Sequence, residues 1–419
     1  MIRVKSIKKS SGLLVGILVC GVFTAVTLIN FTAISSAARK SSVKHQQTTS
    51  LLSEDAQKFN LWFEEAATEF SVPVELLQAI AFVESRWTQR VPDTSVPSES
   101  GMPPSYGIMG LRSDPYFGSS LSDAAALIGS SPEDLKLNPQ NNIRGAAALL
   151  AYYHNKENSA GLESWEPAVA KLSGIPQPEI AQIQTYDIFN SINLGRRDNK
   201  NYRVTQHDVD LNLTYGSERL RLLSAPAITF SPESRTGTSG GIAPVETNSA
   251  DYGPAIFNQA ATCNFGSRNG TAITHVTIHV TQGSYAGTIS FFKNCSAVVS
   301  AHYVIRSSDG QVTQMVREID RAFHVGNSNS YTVGIEHEGF VDQPSFFTTA
   351  MYNASAALTR DICASHGIDR TKTLGMTFQG PLSDVDFKVK GHVNYANQTH
   401  TDPGVNWDWA RYKRLVIGN

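Results

Sequence analysis

The segment running from Gly391 to Gly404 reads Gly-His-Val-Asn-Tyr-Ala-Asn-Gln-Thr-His-Thr-Asp-Pro-Gly, and it constrains this chain more than any other feature. It places two imidazoles, His392 and His400, and the carboxylate of Asp402 on one loop. Pro403 disfavours the helical region for Asp402 and Gly404 permits the turn that follows, so the carboxylate is held in a fixed direction. Two imidazole nitrogens and one carboxylate oxygen would give a tetrahedral Zn²⁺ three protein ligands and one open position, the pattern of a hydrolytic rather than a structural zinc. The loop is half of such a site, and a further His must come from elsewhere. Eight of the eleven histidines fall between His275 and His400, so the search narrows to that region. In Thr274–Val280, Val276, Ile278 and Val280 alternate with His275, Thr277 and His279, which predicts a strand with one face for a core and imidazoles on the other. A lone strand histidine is ordinarily structural, but weighed together with the loop this face, with His275 and His279, is where the missing imidazole is expected.

A length of 419 residues suits two or three domains, and 41% hydrophobic content suffices to bury ordinary cores. A formal net charge of -2, without a basic stripe interleaved with aromatics, argues against nucleic acid as a partner. Arg3, Lys5, Lys8 and Lys9 precede a charge-free run from Ser10 to Ala38, which predicts an export signal. Ser35-Ser36-Ala37-Ala38 offers a cleavage site, yet a run of roughly 20 apolar residues is also long enough to anchor uncleaved, so secretion and single-pass anchoring both stay open. Export implies oxidising conditions, under which Cys263 and Cys295 are candidates for a staple, with Cys363 the other available partner.

From Leu51 the pattern is helical, with Phe59, Trp62, Phe63, Ala66 and Phe70 at three- and four-residue spacing, and Pro73 then able to open a helix over Val74–Trp87. Glu84 shares the apolar face of that helix with Leu77, Ile80 and Ala81. A carboxyl held against apolar neighbours keeps its proton and can serve as a general acid; the competing reading is a helix-end glutamate that reaches water or pairs with Arg86. Between Gly216 and Ala250 the composition turns to Ser, Pro, Thr and Gly, which predicts a flexible linker.

Beyond the linker the chain predicts a mixed α/β domain. A helix is expected over Gly287–Asn294, then a hairpin of Ala301–Arg306 and Gln311–Val316 turning at Ser308-Asp309-Gly310. In the strand Thr332–Glu338, Glu336 and Glu338 face away from Val333, Ile335 and His337, and a mid-strand carboxylate beside Gly334 fits a cleft better than a core. Helices are expected over Phe346–His366, ended by Gly367, and over Trp407–Val416.

Two resemblances add to this. Glu84-Ser85-Arg86-Trp87, Ser105-Tyr106-Gly107-Ile108-Met109-Gly110-Leu111 and Asn138–Leu150 resemble, in order and spacing, the blocks of lytic transglycosylases. That likeness implies an all-α lysozyme-like domain in which Glu84 protonates the glycosidic oxygen; Gly110 stands where those enzymes usually have Gln, which puts the sugar subsites in question. Thr277-Ile278-His279, Ser300–Ile305, Asp309-Gly310, Arg321–Gly326, Gly334–Gly339 and His400–Gly404 resemble the zinc N-acetylmuramoyl-L-alanine amidases related to peptidoglycan recognition proteins. The likeness implies a central sheet flanked by helices, with Zn²⁺ held by His279, His392 and Asp402. It also implies Glu336 as the group taking the proton of the attacking water, His400 as oxyanion stabiliser, and His302 and His324 as residues supporting the site or touching substrate.

The expected organisation is therefore multidomain: residues 1–40 a signal or anchor, 51–215 an all-α lysozyme-like domain, 216–252 a linker, and 253–419 a mixed α/β amidase domain. Peptidoglycan is the expected partner, with the membrane reached only through the N-terminal anchor and oligomeric state left open. The expected function is zinc-dependent cleavage of the amide between N-acetylmuramic acid and L-alanine, with a helical domain that binds glycan and whose own cleavage of it is left open. The alternatives are a peptidoglycan-binding protein without activity, or a transglycosylase whose second domain only binds.

Overall fold

A computed structural model of the chain describes residues 57–92, 101–155, 161–224, 228–229, 238–239 and 249–418. The export segment, and most of the residues expected as linker, lie outside these. Among the described residues no helix is long and apolar enough to cross a membrane.

The C-terminal region is built on a six-stranded mixed sheet in the spatial order Val389–Gly391, His275–Val280, Thr332–His337, Tyr303–Ile305, Val312–Gln314, Ile256–Phe257. The first four strands are mutually parallel, and Tyr303–Ile305 turns back antiparallel onto Val312–Gln314. Gly310, at φ +81°, makes that reversal, as the Asp309-Gly310 pair anticipates. The helices Thr349–Ser365 and Trp409–Ile417 cover one face, where Val276, Ile278, Val333 and Ile335 pack with Leu358, Ile362, Trp407 and Tyr412. The helix Tyr285–Phe292 lies against the other face.

Both central strands are buried on both faces, so the imidazole-bearing face expected for 274–280 is covered as well as the core face. Parallel strands covered on each side lose the simple apolar-polar alternation. The polar residues pointing to the second face are paired instead: His275 Nε2 meets the Asp384 carbonyl at 2.9 Å, and Thr277 Oγ1 donates to Tyr395 Oη at 2.9 Å. The helices also begin two or three residues from their expected starts. Phe346 closes a short 3-10 turn over Pro344–Phe346, and the long helix starts only where the Thr348 side chain accepts from the Met351 N–H. Cys263 and Cys295 form a disulfide, and Cys363 is free and buried.

The N-terminal region is all-α apart from short two-residue strands. It comprises a helix through residues 59–70 followed by Val74–Ser85, Ser120–Leu127, Pro132–Leu137, Pro139–His154, Glu166–Ser173 and Pro178–Leu194. The turn between Ser105–Tyr106 and Leu111–Arg112 is held by Asn142, whose Oδ1 accepts from the Met109 N–H at 2.9 Å and whose Nδ2 donates to the Leu135 carbonyl at 3.0 Å. Any Cβ on Gly107 would fall 2.0 Å from Asn142 Nδ2, so these two sequence blocks specify each other. Ser85 Oγ ties the same turn to the end of its helix through the Ile108 carbonyl at 2.7 Å.

The segment expected to be linker from residue 216 begins with a helix, Ser217–Leu223. Leu223 is buried and its carbonyl accepts from Arg306, while the Leu222 carbonyl accepts from Gln311. Composition misled here because the holding contacts are backbone carbonyls, which leave no mark in side-chain pattern.

Candidate metal centre

Strand register assembles the site. Glu336 pairs with His279 across the two central parallel strands, and Gly391 pairs with Ile278 on the other side. His392, the next residue, therefore lies beside His279 at the carboxyl ends of the strands, where open α/β sheets place their ligands. Asp402 is folded back over this row by the Val393 N–H, which donates to the Asp402 carbonyl at 3.1 Å. Two glycines make that fold possible. A Cβ on Gly391 would lie 2.4 Å from Pro403 Cδ, and Gly404, at φ +82°, would push one to 2.8 Å from Val341 Cβ.

His279, His392 and Asp402 are all buried, and one ligand atom from each lies within 4.8 Å of the others. His279 Nδ1 stands 2.9 Å from Asp402 Oδ2, and His392 Nδ1 3.1 Å from Asp402 Oδ1. The outer nitrogens of both rings are engaged, and the network around them assigns the tautomers. Thr332 Oγ1 donates to the Ser328 carbonyl, so it accepts from His324 Nε2–H at 3.0 Å. His324 Nδ1 is then a lone pair, and accepts from His279 Nε2–H at 2.9 Å. His392 Nε2–H donates to Gln398 Oε1 at 2.9 Å. Both Nδ1 atoms are left as lone pairs aimed at an ionised carboxylate, an arrangement that repels itself unless a cation lies among the three. Burial keeps His279 neutral. Neutral imidazoles with an outer N–H fixed by a partner, together with a carboxylate, are the donor set of a divalent metal.

The cleft over this group has a volume of about 320 Å³, and its wall includes Glu336, His324, Gln398, His400, Phe292 and Val299. Glu336 Oε2 has no hydrogen-bond partner among the described residues, and burial followed by repulsion from Asp402 pushes its carboxyl well above the ordinary range. A buried oxygen left open at a cleft is rare and marks a group that meets something from outside. His400 stacks on His392 with ring centroids 4.1 Å apart, and its Nδ1, 3.9 Å from Asp402 Oδ1, has no hydrogen-bond partner among the described residues. Burial and the adjacent His392 lower its pKa to about 4, so it meets a ligand as a neutral imidazole.

Six of the eight residues singled out in the sequence are thus brought together: His279, His392, Asp402, Glu336, His400 and His324. His324 supports His279 from behind and also lines the cleft. His302 must be corrected as a substrate contact. It has no accessible surface; its Nδ1 accepts from the Gly334 N–H at 3.0 Å and its Nε2 meets the Asp320 carbonyl at 3.2 Å. Burial, then the adjacent Arg268, holds it neutral, and it braces the strand that carries Glu336. Glu84 lies outside this cleft. Gln398 and Thr332 escaped the sequence reading: Gln398 sits inside the metal loop with ordinary loop composition, and Thr332 is one β-branched residue opening a strand, where β-branching is expected anyway.

Residues 269–405 match the N-acetylmuramoyl-L-alanine amidase family, and residues 61–175 match the transglycosylase SLT domain. N-acetylmuramoyl-L-alanine amidase A of Achromobacter lyticus is 43% identical over 175 residues, 40% of this chain and 96% of that protein. The 1,6-anhydro-N-acetylmuramyl-L-alanine amidase AmpD of Salmonella typhimurium is 35% identical over 126 residues, covering 28% of this chain and 57% of the relative. A crystal structure of a selenomethionine AmpD derivative superposes over 42% of this chain and 99% of its own, at 23% identity and a TM-score of 0.31.

Proposed function

Because this chain belongs to the N-acetylmuramoyl-L-alanine amidase family, we propose that His279, His392 and Asp402 hold Zn²⁺ and that Glu336 and His400 serve the cleavage of the amide between N-acetylmuramic acid and L-alanine. The protein is a peptidoglycan hydrolase with an SLT domain ahead of its amidase domain, and a wall substrate implies action in the periplasm or outside the cell. The observation that carries the zinc assignment is the pair of Nδ1 lone pairs converging on one carboxylate. Zinc supplies, when bound, a Lewis acid that polarises the scissile carbonyl and makes water acidic near neutral pH.

The chain's own groups do the remaining work. Glu336, next to His279 in the sheet and with one oxygen open to the cleft, takes the proton of the attacking water and passes it to the leaving amine. Burial and then Asp402 raise its pKa, and neutralising the ligand group removes the second of these, which favours the ionised form that acts as a base. His400 turns a ring N–H toward the carbonyl oxygen as negative charge develops there. Gln398 and His324 hold the two ligand rings at fixed angles, so little reorganisation precedes the reaction. The residues preceding the described ones are proposed to direct export, and residues 253–419 to form the amidase domain.

Digestion of purified peptidoglycan followed by mass spectrometry tests the reading. Sugar-free stem peptides beginning with L-alanine are expected from the wild type, and none from Glu336→Ala. Equal release by the two proteins would sink it.

A further inference from the structure

Near the end of the helix Val74–Ser85, the two oxygens of the Glu84 carboxyl meet different surroundings. Oε1 accepts from Gln184 Nε2 at 2.6 Å. Oε2 has no hydrogen-bond partner among the described residues, and it is not one of the sealed buried atoms, so it keeps contact with solvent. Gly110 is what leaves it clear: the residue has φ +65°, and a Cβ there would lie 2.5 Å from Oε2. The turn that carries Gly110 is itself fixed, by Ser85 Oγ donating to the Ile108 carbonyl at 2.7 Å and by Asn142 Oδ1 accepting from the Met109 N–H at 2.9 Å. Arg112, on the short strand after this turn, supplies the charge that acts on Glu84.

Gln184 is buried, and the helix that carries it, Pro178–Leu194, is anchored at several points. Just before its first turn, Gln177 Oε1 accepts from Ser290 Oγ at 2.6 Å and Gln177 Nε2 donates to Tyr116 Oη at 2.9 Å. Ile180 and Ala181 share an apolar cluster with Tyr285, Ala286 and Ile289, and Thr185 Oγ1 donates to Glu166 Oε1 at 2.8 Å. The end of the Glu84 helix is held as well, since Gln343 Nε2 donates to the Ser85 carbonyl at 3.3 Å and Arg86 Nη2 donates to Ser307 Oγ at 3.1 Å. Donor and carboxyl are thus fixed on two anchored helices. Gln184 lies beyond residues 61–175, the stretch matched to the SLT domain, so that match assigns it no role.

A neutral carboxyl carries its proton on one oxygen and offers the other as acceptor. Because Oε1 is taken by the Gln184 N–H, the proton sits on Oε2, the oxygen that Gly110 leaves clear. Passing that proton to a glycosidic oxygen breaks the C–O bond and leaves a carboxylate, which recovers a proton from the sugar's 6-hydroxyl as the anhydro ring closes. The Gln184 N–H donates to Oε1 throughout, and its bond strengthens as charge develops on the carboxyl, so it favours the transition state over the ground state.

We infer that Gln184 is a positioning residue for glycan cleavage, whose amide holds Glu84 Oε1 and so presents the acidic proton on Oε2 to the glycosidic oxygen. The inference rests on the reading of Glu84 as the glycosidic acid, and its test separates the two. The full-length protein digests purified peptidoglycan across a pH series, and 1,6-anhydro-muramic ends and stem peptides are counted by mass spectrometry. For Gln184→Met, which keeps the side chain's length and removes the donor, kcat for anhydro ends is expected to fall roughly 10- to 100-fold with KM within about twofold of wild type. Burial raises the Glu84 pKa, and Arg112 and then the Gln184 bond pull it back. A general acid works only while protonated, so removing that bond should move the alkaline limb of the profile to higher pH. An unchanged rate or an unmoved limb would reduce Gln184 to a packing residue and overturn the inference, whereas a wild type that yields no anhydro ends would overturn the reading of Glu84 itself. Gly110→Ala leaves Gln184 in place and covers Oε2, so it serves if Gln184→Met folds poorly. Anhydro ends should then disappear while stem-peptide release stays within about twofold of wild type, and unchanged anhydro release would overturn the inference.

Discussion

Glu336 and Glu84 are both buried glutamates, and burial is the first cause of the raised pKa of each. Their surroundings differ in the way that matters for chemistry. Glu336 has an oxygen without a partner at the wall of an open cleft, beside two imidazoles and a carboxylate. Glu84 is hydrogen-bonded by Gln184, roofed by Gly110, and backed by residues that hold the amidase domain. A raised pKa marks each carboxyl as unusual, and it is the partners around it, not exposure, that differ, since Glu336 is 5% and Glu84 8% accessible. The sequence resemblance treats the two alike, since each occupies a motif position that carries chemistry in relatives.

The largest effect should fall on the first side of that comparison. Asp402→Ala removes the carboxylate on which both imidazoles converge, and stem-peptide release is expected to fall more than about 10³-fold with loss of bound metal, because a Lewis acid contributes several kcal/mol of charge stabilisation. Metal analysis of the purified variant checks the cause; a variant that keeps one zinc per chain contradicts the ligand set. Glu336→Gln should keep the metal and lose about 10²- to 10³-fold in kcat, the usual contribution of a positioned general base. Full activity in that variant would erase the distinction drawn between the two glutamates.

A subtler effect is expected at Gly334. A Cβ there would lie 2.6 Å from His324 Nδ1, so Gly334→Ala displaces the ring that fixes the His279 tautomer. Zinc affinity, measured by competition with a chromophoric chelator, should drop roughly 10- to 100-fold. The smallest effect concerns Glu84. Folded Glu84 holds its proton above the ordinary 4.5, so its contribution to stability is fully present below that value and is lost as pH rises through the folded pKa. Glutamine does not titrate, so the Tm of Glu84→Gln relative to wild type should rise between pH 4 and pH 8, by roughly 2–4 °C per kcal/mol of difference. A pH-independent gap would mean that Glu84 titrates alike in both states.

The contrast also shows what the sequence could reveal. Period-two alternation placed Glu336 and the His279 strand, and the loop chemistry of Pro403 and Gly404 placed Asp402, because each of these is a local pattern. The apolar face of the helix Val74–Ser85 likewise revealed that Glu84 is buried, but not what buries it. His302 entered the site through the amidase resemblance; its burial follows from Arg268, Asp320 and Gly334 meeting it from three separate segments. The docking of Arg86 onto Ser307 joins residues 221 positions apart, and no periodicity within one element carries such a contact. Even the helix Ser217–Leu223 owes its order to Arg306 and Gln311, far along the chain.

The central claim is that three side chains share one zinc ion that amide cleavage requires. It is tested most directly by stripping the wild-type protein with a chelator, adding zinc back in measured steps, and following stem-peptide release at each step. Activity should vanish on stripping and return linearly, saturating near one equivalent of zinc per chain; a stripped, metal-free protein that keeps its original rate would contradict the account.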